Sequence, residues 1–351
     1  MNVKKRKNVM NSTERIHQRL SGEPVERPPN FNLFMTFAAH YCKISLRRYY
    51  LDYQALAKAN QAMVENFGMD LYQAISDPYR EAYDLGAEIE FPDDGLPISK
   101  NPLIQSAEDI NRLRVIAPEN GRRMSDRVEA IRLMKTMGGE DIPVMGWVEG
   151  ALAEAGDLCG AGKLMILLAE NPDWLEDLLE LCCQVEIQFA RAQIQAGARI
   201  IGLGDALASQ ISPKMYERFA LPYEQRIFDE IHHAGGLCRL HICGNTTRIL
   251  PSMLKSGADI IDLDWMVDFG AACSHFGEQV SFCGNSNPVT DLLQGTPDKV
   301  YEVTKNCMTI GGARSFSAAG CEIPDGTPHE NLRAQLRALA EMSESKVEVT
   351  L

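Results

Sequence analysis

The run Pro213–Cys243, PKMYERFALPYEQRIFDEIHHAGGLCRLHIC, contains a complete repeating unit of the fold. Phe219, Tyr223, Ile227 and Ile231 recur at helical spacing, which predicts a helix over Pro213 to Ala234 with one apolar stripe. Gly235 and Gly236 close it, and Leu237 to Ile242 follows as a short apolar run of strand length. A helix that returns the chain directly to a buried strand is part of a βα unit, so the sheet is expected to be parallel.

Working outward, seven further runs of this kind alternate with helical patterns such as Asp173 to Ala196, where Leu175, Leu178, Leu179 and Cys182 share a face. They are Pro29 to Phe34, Asp70 to Ser76, Ile142 to Val148, Arg199 to Gly204, Asp259 to Leu263, Gln279 to Cys283 and Ser315 to Ala319. Eight strands joined by helices predict an α/β protein with a single (β/α)8 TIM barrel. Residues 85–125 break the rhythm with Pro92, Pro97, Pro102 and Pro118, and are expected to be an excursion over one barrel end. The first 11 residues read as a tail, followed by a helix whose start has Asn11 and Glu14 at capping-box spacing. The expected organisation is an N-terminal tail and helix over 1–27 and the barrel over 28–345, with no Gly-, Ser- or Pro-rich linker between domains.

The 351 residues are 45% hydrophobic and 24% charged, as in ordinary globular proteins. A formal charge of −13 opposes nucleic-acid binding, which needs a positive surface, and the run Lys4 to Lys7 is read as a solvated tail. No apolar stretch has the length of a membrane span, and MNVKKRKNVMN is followed by no apolar segment, so a cytoplasmic location is expected. The ten cysteines are scattered through a chain without a secretory signal and are expected to be reduced, most of them packing residues.

In a barrel, the carboxyl ends of the strands form the active-site mouth. Here those ends are polar almost throughout: Asp77, Glu149, Asp205, His241 with Cys243, Asp264, Asn285 with Asn287, and Cys321 with Glu322. In Arg239-Leu240-His241-Ile242-Cys243-Gly244-Asn245, residues two apart on a strand point to the same side, so His241 and Cys243 can reach one ion. Taken alone, the pair is equally compatible with core packing. Cys321, just past the last strand, is the candidate third ligand, and three protein ligands with an open fourth position is the catalytic arrangement for Zn2+. Met145 and Trp147 are read as core, and His232 and His233 as a solvated helix end.

The chain resembles the uroporphyrinogen decarboxylase superfamily, and within it the zinc-dependent, corrinoid-linked methyltransferases. The resemblance rests on the opening helix, Gly22-Glu23-Pro24-Val25-Glu26-Arg27-Pro28-Pro29, Phe219-Ala220-Leu221-Pro222-Tyr223, Cys283-Gly284-Asn285-Ser286-Asn287-Pro288 and Gly320-Cys321-Glu322-Ile323-Pro324, in that order. It implies a (β/α)8 barrel. The decarboxylases carry an arginine-rich Arg-Gln-Ala-Gly-Arg segment after the first strand; this chain reads Phe34-Met35-Thr36-Phe37-Ala38-Ala39-His40, although Asp77 matches the decarboxylase aspartate. The His-x-Cys and distant Cys belong to the methyltransferase branch.

That branch implies methyl transfer in one of two directions: from a small methylated donor such as a methoxylated aromatic, methanol or methylamine to the Co(I) of a corrinoid, or from a methylcorrinoid to a thiol of the coenzyme M type. The acidic mouth favours the first. The resemblance is also compatible with a decarboxylase-like activity and with a non-catalytic corrinoid-docking role. The corrinoid (cobalamin) is expected on a partner protein, because no Asp-x-His-x-x-Gly segment is present. Glu149 is the candidate proton donor or hydrogen-bond acceptor, and Asp205 the candidate partner of His241. Either carboxylate would serve equally to pair an arginine or cap a helix. Asn285 and Asn287 suit contacts to substrate or corrinoid and suit a tight turn as well.

Overall fold

The computed structural model describes residues 10–170 and 172–342. Lys4 to Lys7, with the rest of the first nine residues, and residues 343–345 of the expected barrel unit lie outside the described residues. The strands are β1 (Tyr72–Gln73), β2 (Ile89–Glu90), β3 (Ile98–Ser99), β4 (Val144–Glu149), β5 (Ile200–Gly204), β6 (Leu237–His241), β7 (Ile260–Asp262), β8 (Ser281–Ser286) and β9 (Phe316–Ala319). Seven of them form one sheet in the order β1-β4-β5-β6-β7-β8-β9, parallel at every pairing.

The eighth stave is the segment expected at Pro29 to Phe34. It lies between β9 and β1 but makes only an isolated bridge, Asn30 to Ser317. Phe31 N donates to Ser317 O at 2.8 Å, Ser317 N to Pro29 O at 3.0 Å, and Asp70 N to Asn30 O at 3.2 Å, which closes the circle as a (β/α)8 barrel. Two consecutive prolines, Pro28 and Pro29, have no N–H for the ladder, so pairing begins late. Side chains take over: Asn32 accepts from Ala319 N at 2.8 Å and donates to Gln335 at 2.7 Å.

The helix expected over Pro213 to Ala234 is two helices, Pro213–Phe219 and Leu221–His233. The break falls at Ala220, at φ −121° and ψ −61°, because Pro222 lacks the N–H that would continue the first helix. The opening helix Ser12–Leu20 carries the Asn11–Glu14 capping box, and Arg19 Nε reaches from it to Ser315 O at 2.7 Å, pinning it beside β9. Within residues 85–125 an antiparallel hairpin, β2 with β3, raises Leu96 and Pro97 over the mouth. Inside the cylinder the Phe31 and Phe316 rings meet at a tilt with centroids 4.7 Å apart, and the buried Arg239 guanidinium lies 5.4 Å from the centre of the Phe31 ring. No described helix is long and apolar enough to cross a membrane.

Candidate metal centre

β6 ends at His241, and its imidazole enters the mouth because residues 239 and 241 share the inward face of the strand. The chain then turns at Gly244, which adopts φ +96° and whose N–H donates to Asp264 Oδ2 at 2.7 Å. That turn fixes Cys243 beside His241. Cys321 arrives from the loop after β9. Gly320, just before it, packs so closely that a Cβ there would lie 2.4 Å from Asp264 Oδ1 and 2.5 Å from Trp265 N. Only glycine brings the loop this near.

The result is a trio of donors, one each from His241, Cys243 and Cys321, all within 4.8 Å of one another. His241 Nε2 and Cys321 Sγ are 3.9 Å apart. Tetrahedral zinc separates a nitrogen and a sulfur ligand by about 3.6 Å, so the set fits that ion with small adjustment. A borderline-soft nitrogen and two sulfurs are also the donors zinc selects.

His241 Nδ1 is 2.7 Å from Asp262 Oδ2, and Arg239 Nε donates to Asp262 Oδ1 at 2.9 Å. This carboxylate sets the tautomer that leaves Nε2 free for a metal. Burial opposes protonation of the ring, but the bonds to Asp262 and Cys321 outweigh it and raise the His241 pKa to about 10. Cys321 lowers the pKa of Cys243, while Cys243 and burial raise that of Cys321, so the first proton leaves the Cys243 end of the pair.

The expectation that Asp205 orients His241 is corrected. Asp205 is fully buried beneath Gly150, where a Cβ would lie 2.4 Å from its Oδ2, and only its backbone N–H meets residue 241, at the carbonyl. Burial, with Glu224 and Glu149 nearby, pushes its carboxyl well above the usual range. Asp262 was missed although its place follows from strand register: Arg239 pairs with Ile260 and Leu240 with Ile261, which puts Asp262 beside His241.

Asn285 and Asn287 are likewise placed away from the mouth, which corrects their expected ligand contacts. Asn285 Nδ2 donates to Val267 O at 2.8 Å and Asp264 O at 3.2 Å. Asn287 Oδ1 accepts from Val289 N at 2.9 Å and Thr290 N at 3.0 Å, capping the turn of π-helix Pro288–Leu293. Asn285 thus ties β8 to the loop after β7, and Asn287 caps the loop after β8. A second group of potential ligands, His232, Cys238 and Asp259, is internally satisfied: Asp259 Oδ2 takes the His232 ring at 3.0 Å and Cys238 N at 2.7 Å.

A cavity of about 390 Å³ opens above the trio, with His241, Cys321, Trp147 and Glu149 in its lining. Trp147, expected in the core, is largely buried yet faces the His241 ring at 5.9 Å, whereas Met145 is core. Tyr50, Tyr79, Met35, Leu33, Leu96 and Pro97 give apolar walls; Tyr50 and Leu96 come from segments whose sequence patterns do not disclose the mouth. Glu149 accepts from Arg80 Nη2 at 2.7 Å. Burial raises its pKa to about 7 against the pull of that arginine, near the value at which a carboxyl both gives and takes protons at neutral pH. Asp77 also lines the cavity, but Arg123 and Arg80 overcome its burial and hold it ionised and paired. Among the described residues no lysine or arginine lines this cavity.

The chain matches the uroporphyrinogen decarboxylase (URO-D) family over residues 11–342. It is 28% identical to methylcobamide:CoM methyltransferase MtbA of Methanosarcina mazei, covering 91% of this chain and 95% of that one. It is 31% identical to uroporphyrinogen decarboxylase of a Synechococcus species, over 90% of this chain and 93% of the other. The solved structure of a methyltransferase from Methanosarcina mazei superposes with a TM-score of 0.86 at 24% identity, covering 95% of this chain and 99% of that one, a likeness of fold.

Proposed function

The chain belongs to the uroporphyrinogen decarboxylase family, and from that premise we propose that it is a zinc-dependent methyltransferase. It moves a methyl group from a small uncharged donor, best fitted by a methoxylated aromatic, to the Co(I) of a corrinoid carried by a partner protein. The observation that carries this reading is the pairing of an N/S2 donor trio at the cavity floor with apolar and aromatic walls that lack a lysine or arginine. Methanol would leave most of about 390 Å³ to water, and a polycarboxylate such as a porphyrinogen would meet no lysine or arginine along the walls.

His241, Cys243 and Cys321 would hold zinc, which when bound supplies a Lewis acid for the departing heteroatom. Trp147, Tyr50 and Tyr79 stack against the aromatic ring and keep water from the reacting methyl. Glu149 delivers the proton that the heteroatom takes as the carbon–heteroatom bond breaks, the electron pair staying on the heteroatom. Asp262 holds the His241 ring in one orientation throughout.

The test is anaerobic incubation of the zinc-loaded protein with guaiacol and Co(I) cobalamin. The expected result is the methyl-Co(III) absorption spectrum and the free catechol. A second reading, transfer from a methylcorrinoid to a thiol, is favoured by the relatives named methylcobamide:CoM methyltransferase. Turnover of methylcobalamin with 2-mercaptoethanesulfonate, and none with methoxylated aromatics, selects it.

A further inference from the structure

His40 closes the segment Phe34 to His40, and methyl transfer at the trio makes no use of it. Its helix, Thr36–Tyr41, lies against the loop after β9 that carries Cys321, and the two are bonded at points one helical turn apart. Thr36 N and Oγ1 donate to Glu322 Oε1 at 2.8 and 2.9 Å, and His40 Nδ1 stands 2.9 Å from Asp325 Oδ2. The other ring nitrogen, Nε2, stands 2.7 Å from Asp94 Oδ1. Asp94 belongs to the turn of the β2–β3 hairpin, shortly before Leu96 and Pro97, the pair that overhangs the cavity.

One imidazole thus bridges the hairpin and the ligand-bearing loop, and the bridge has a definite protonation state. An ionised carboxylate only accepts hydrogen bonds, so each ring nitrogen must carry a hydrogen for both contacts to be bonds, which is the imidazolium. The bond to Asp94 first, joined by that to Asp325, raises the His40 pKa above its ordinary 6.5 against the opposing pull of burial. Lys43, His329 and Glu330 border the same cleft; Glu330 faces Arg333 at 3.9 Å, and the His329 ring packs among Phe37, Tyr41 and Phe67. Asp93 lies with Arg47 on the other side of the hairpin. Among the described residues no lysine or arginine pairs with Asp94 or Asp325. The hairpin has two residue pairs of ladder, too few to hold a position of its own, and Leu96 is 67% exposed above the mouth. Arg47 N donates to Asp93 O at 3.1 Å and Phe91 packs on Tyr50 and Tyr83, so the part of the turn that His40 governs is Asp94 to Pro97.

We propose that His40 is a positioning residue: as the imidazolium it latches the hairpin turn to the loop that carries Cys321, closing Leu96 and Pro97 over the cavity, and as the neutral ring it lets the turn go. A neutral imidazole has one N–H for two carboxylates, so one of the two bonds is lost and a lone pair faces a negative oxygen instead. The latch is therefore made below the His40 pKa and undone as pH rises through it. His40 touches no substrate; it acts through the walls that keep water from the donor. The inference rests on the methyl-transfer reading for its effect on turnover, not for the latch itself.

The test uses the zinc-loaded full chain without substrate, and the variants His40→Gln, Asp94→Asn and Asp325→Asn. The imidazole proton resonance that His40→Gln removes is expected to titrate above 6.5, and to move back toward 6.5 in each aspartate variant. Hydrogen exchange read by mass spectrometry is expected to show protection of residues 93–99 falling about tenfold as pH passes that midpoint, and low at every pH in His40→Gln, while the β4–β5 ladder is unchanged. With guaiacol and Co(I) cobalamin, His40→Gln is expected to raise KM for guaiacol about tenfold, with zinc content unchanged, and to abolish the rise of KM with pH. A His40 midpoint at or below 6.5, or one that neither aspartate variant moves, overturns the latch. A midpoint as expected with protection of the hairpin constant through it overturns its hold on the turn. Methyl transfer absent from the unmodified chain, with the titration and exchange as expected, refutes the functional reading separately. Should His40→Gln not fold, the two aspartate variants, at exposed positions, still decide.

Discussion

His241 Nδ1 and Asp262 Oδ2 stand 2.7 Å apart, and the other oxygen of that carboxylate is held by Arg239 at 2.9 Å. The imidazole is thus clamped from behind by a charge pair buried inside the barrel. Asp262→Asn is expected to weaken zinc binding roughly 10- to 100-fold, the usual effect of losing a carboxylate behind a metal-binding histidine. Asp205→Asn, which leaves this clamp intact, is expected to change it little. Competition with a chromogenic chelator measures both, and equal losses would remove Asp262 from its assigned place.

Cys243→Ala and Cys321→Ala are each expected to abolish tight zinc binding and methyl transfer while the far-ultraviolet circular dichroism remains that of the folded barrel. A three-ligand site contributes less to folding than a closed structural one. Elemental analysis of the purified variants gives the answer, and about one zinc per chain retained in both would end the assignment of the trio.

The same trio illustrates what could be seen in advance. His241 and Cys243 were legible because strand periodicity puts residues two apart on one face, and Cys321 because barrel chemistry gathers at the strand ends. Asp262 was hidden for want of register: it faces His241 only when β7 is set beside β6 with Ile261 opposite Leu240. The Asn285 and Asn287 pair had two physically sound readings, and the structural one holds because Asn287 bonds the next turn of backbone and Asn285 the carbonyls of the loop after β7. The barrel itself was readable from alternating apolar runs. Its first stave was readable in position but not in pairing, since Pro28 and Pro29 remove the donors a ladder needs.

Gly320→Ala tests how closely the last loop must approach. The new methyl would lie 2.4 Å from Asp264 Oδ1, and the other oxygen of Asp264 ties down Gly244 next to Cys243. Displacement of that carboxylate therefore disturbs two ligands together. The expected outcome is a destabilisation of about 1–3 kcal/mol together with weaker zinc binding, seen by thermal denaturation and chelator competition. Normal metal affinity would show that the loop yields without moving Cys321.

Buried carboxyls give stability a definite dependence on pH. Burial raises Glu149 and Glu224 from an ordinary 4.5 to about 7, so the native state holds protons that the unfolded chain has released. Stability is therefore expected to fall as pH rises from 4.5 to about 7, with the loss from these two complete above that. Glu224→Gln should flatten the profile, since Tyr216, whose hydroxyl donates to Glu224 at 2.5 Å, can donate to the amide oxygen instead. Melting temperatures across this range provide the check, and a rise in stability over the window would contradict the assignment.

The closure of the barrel has a consequence for how the protein comes apart. The seam between the first stave and β9 carries one backbone bridge, Asn30 to Ser317, braced by Asn32 at Ala319 N, and Cys321 stands two residues beyond β9. His241 and Cys243 belong to β6 and the turn after it, three places round the cylinder. An ion shared by all three would act as a drawstring, cinching this thinly stitched edge of the cylinder to a well-laddered one. Stripping it would loosen that edge, and amide exchange at Phe31 and Ser317 would quicken while the β4–β5 ladder stayed protected.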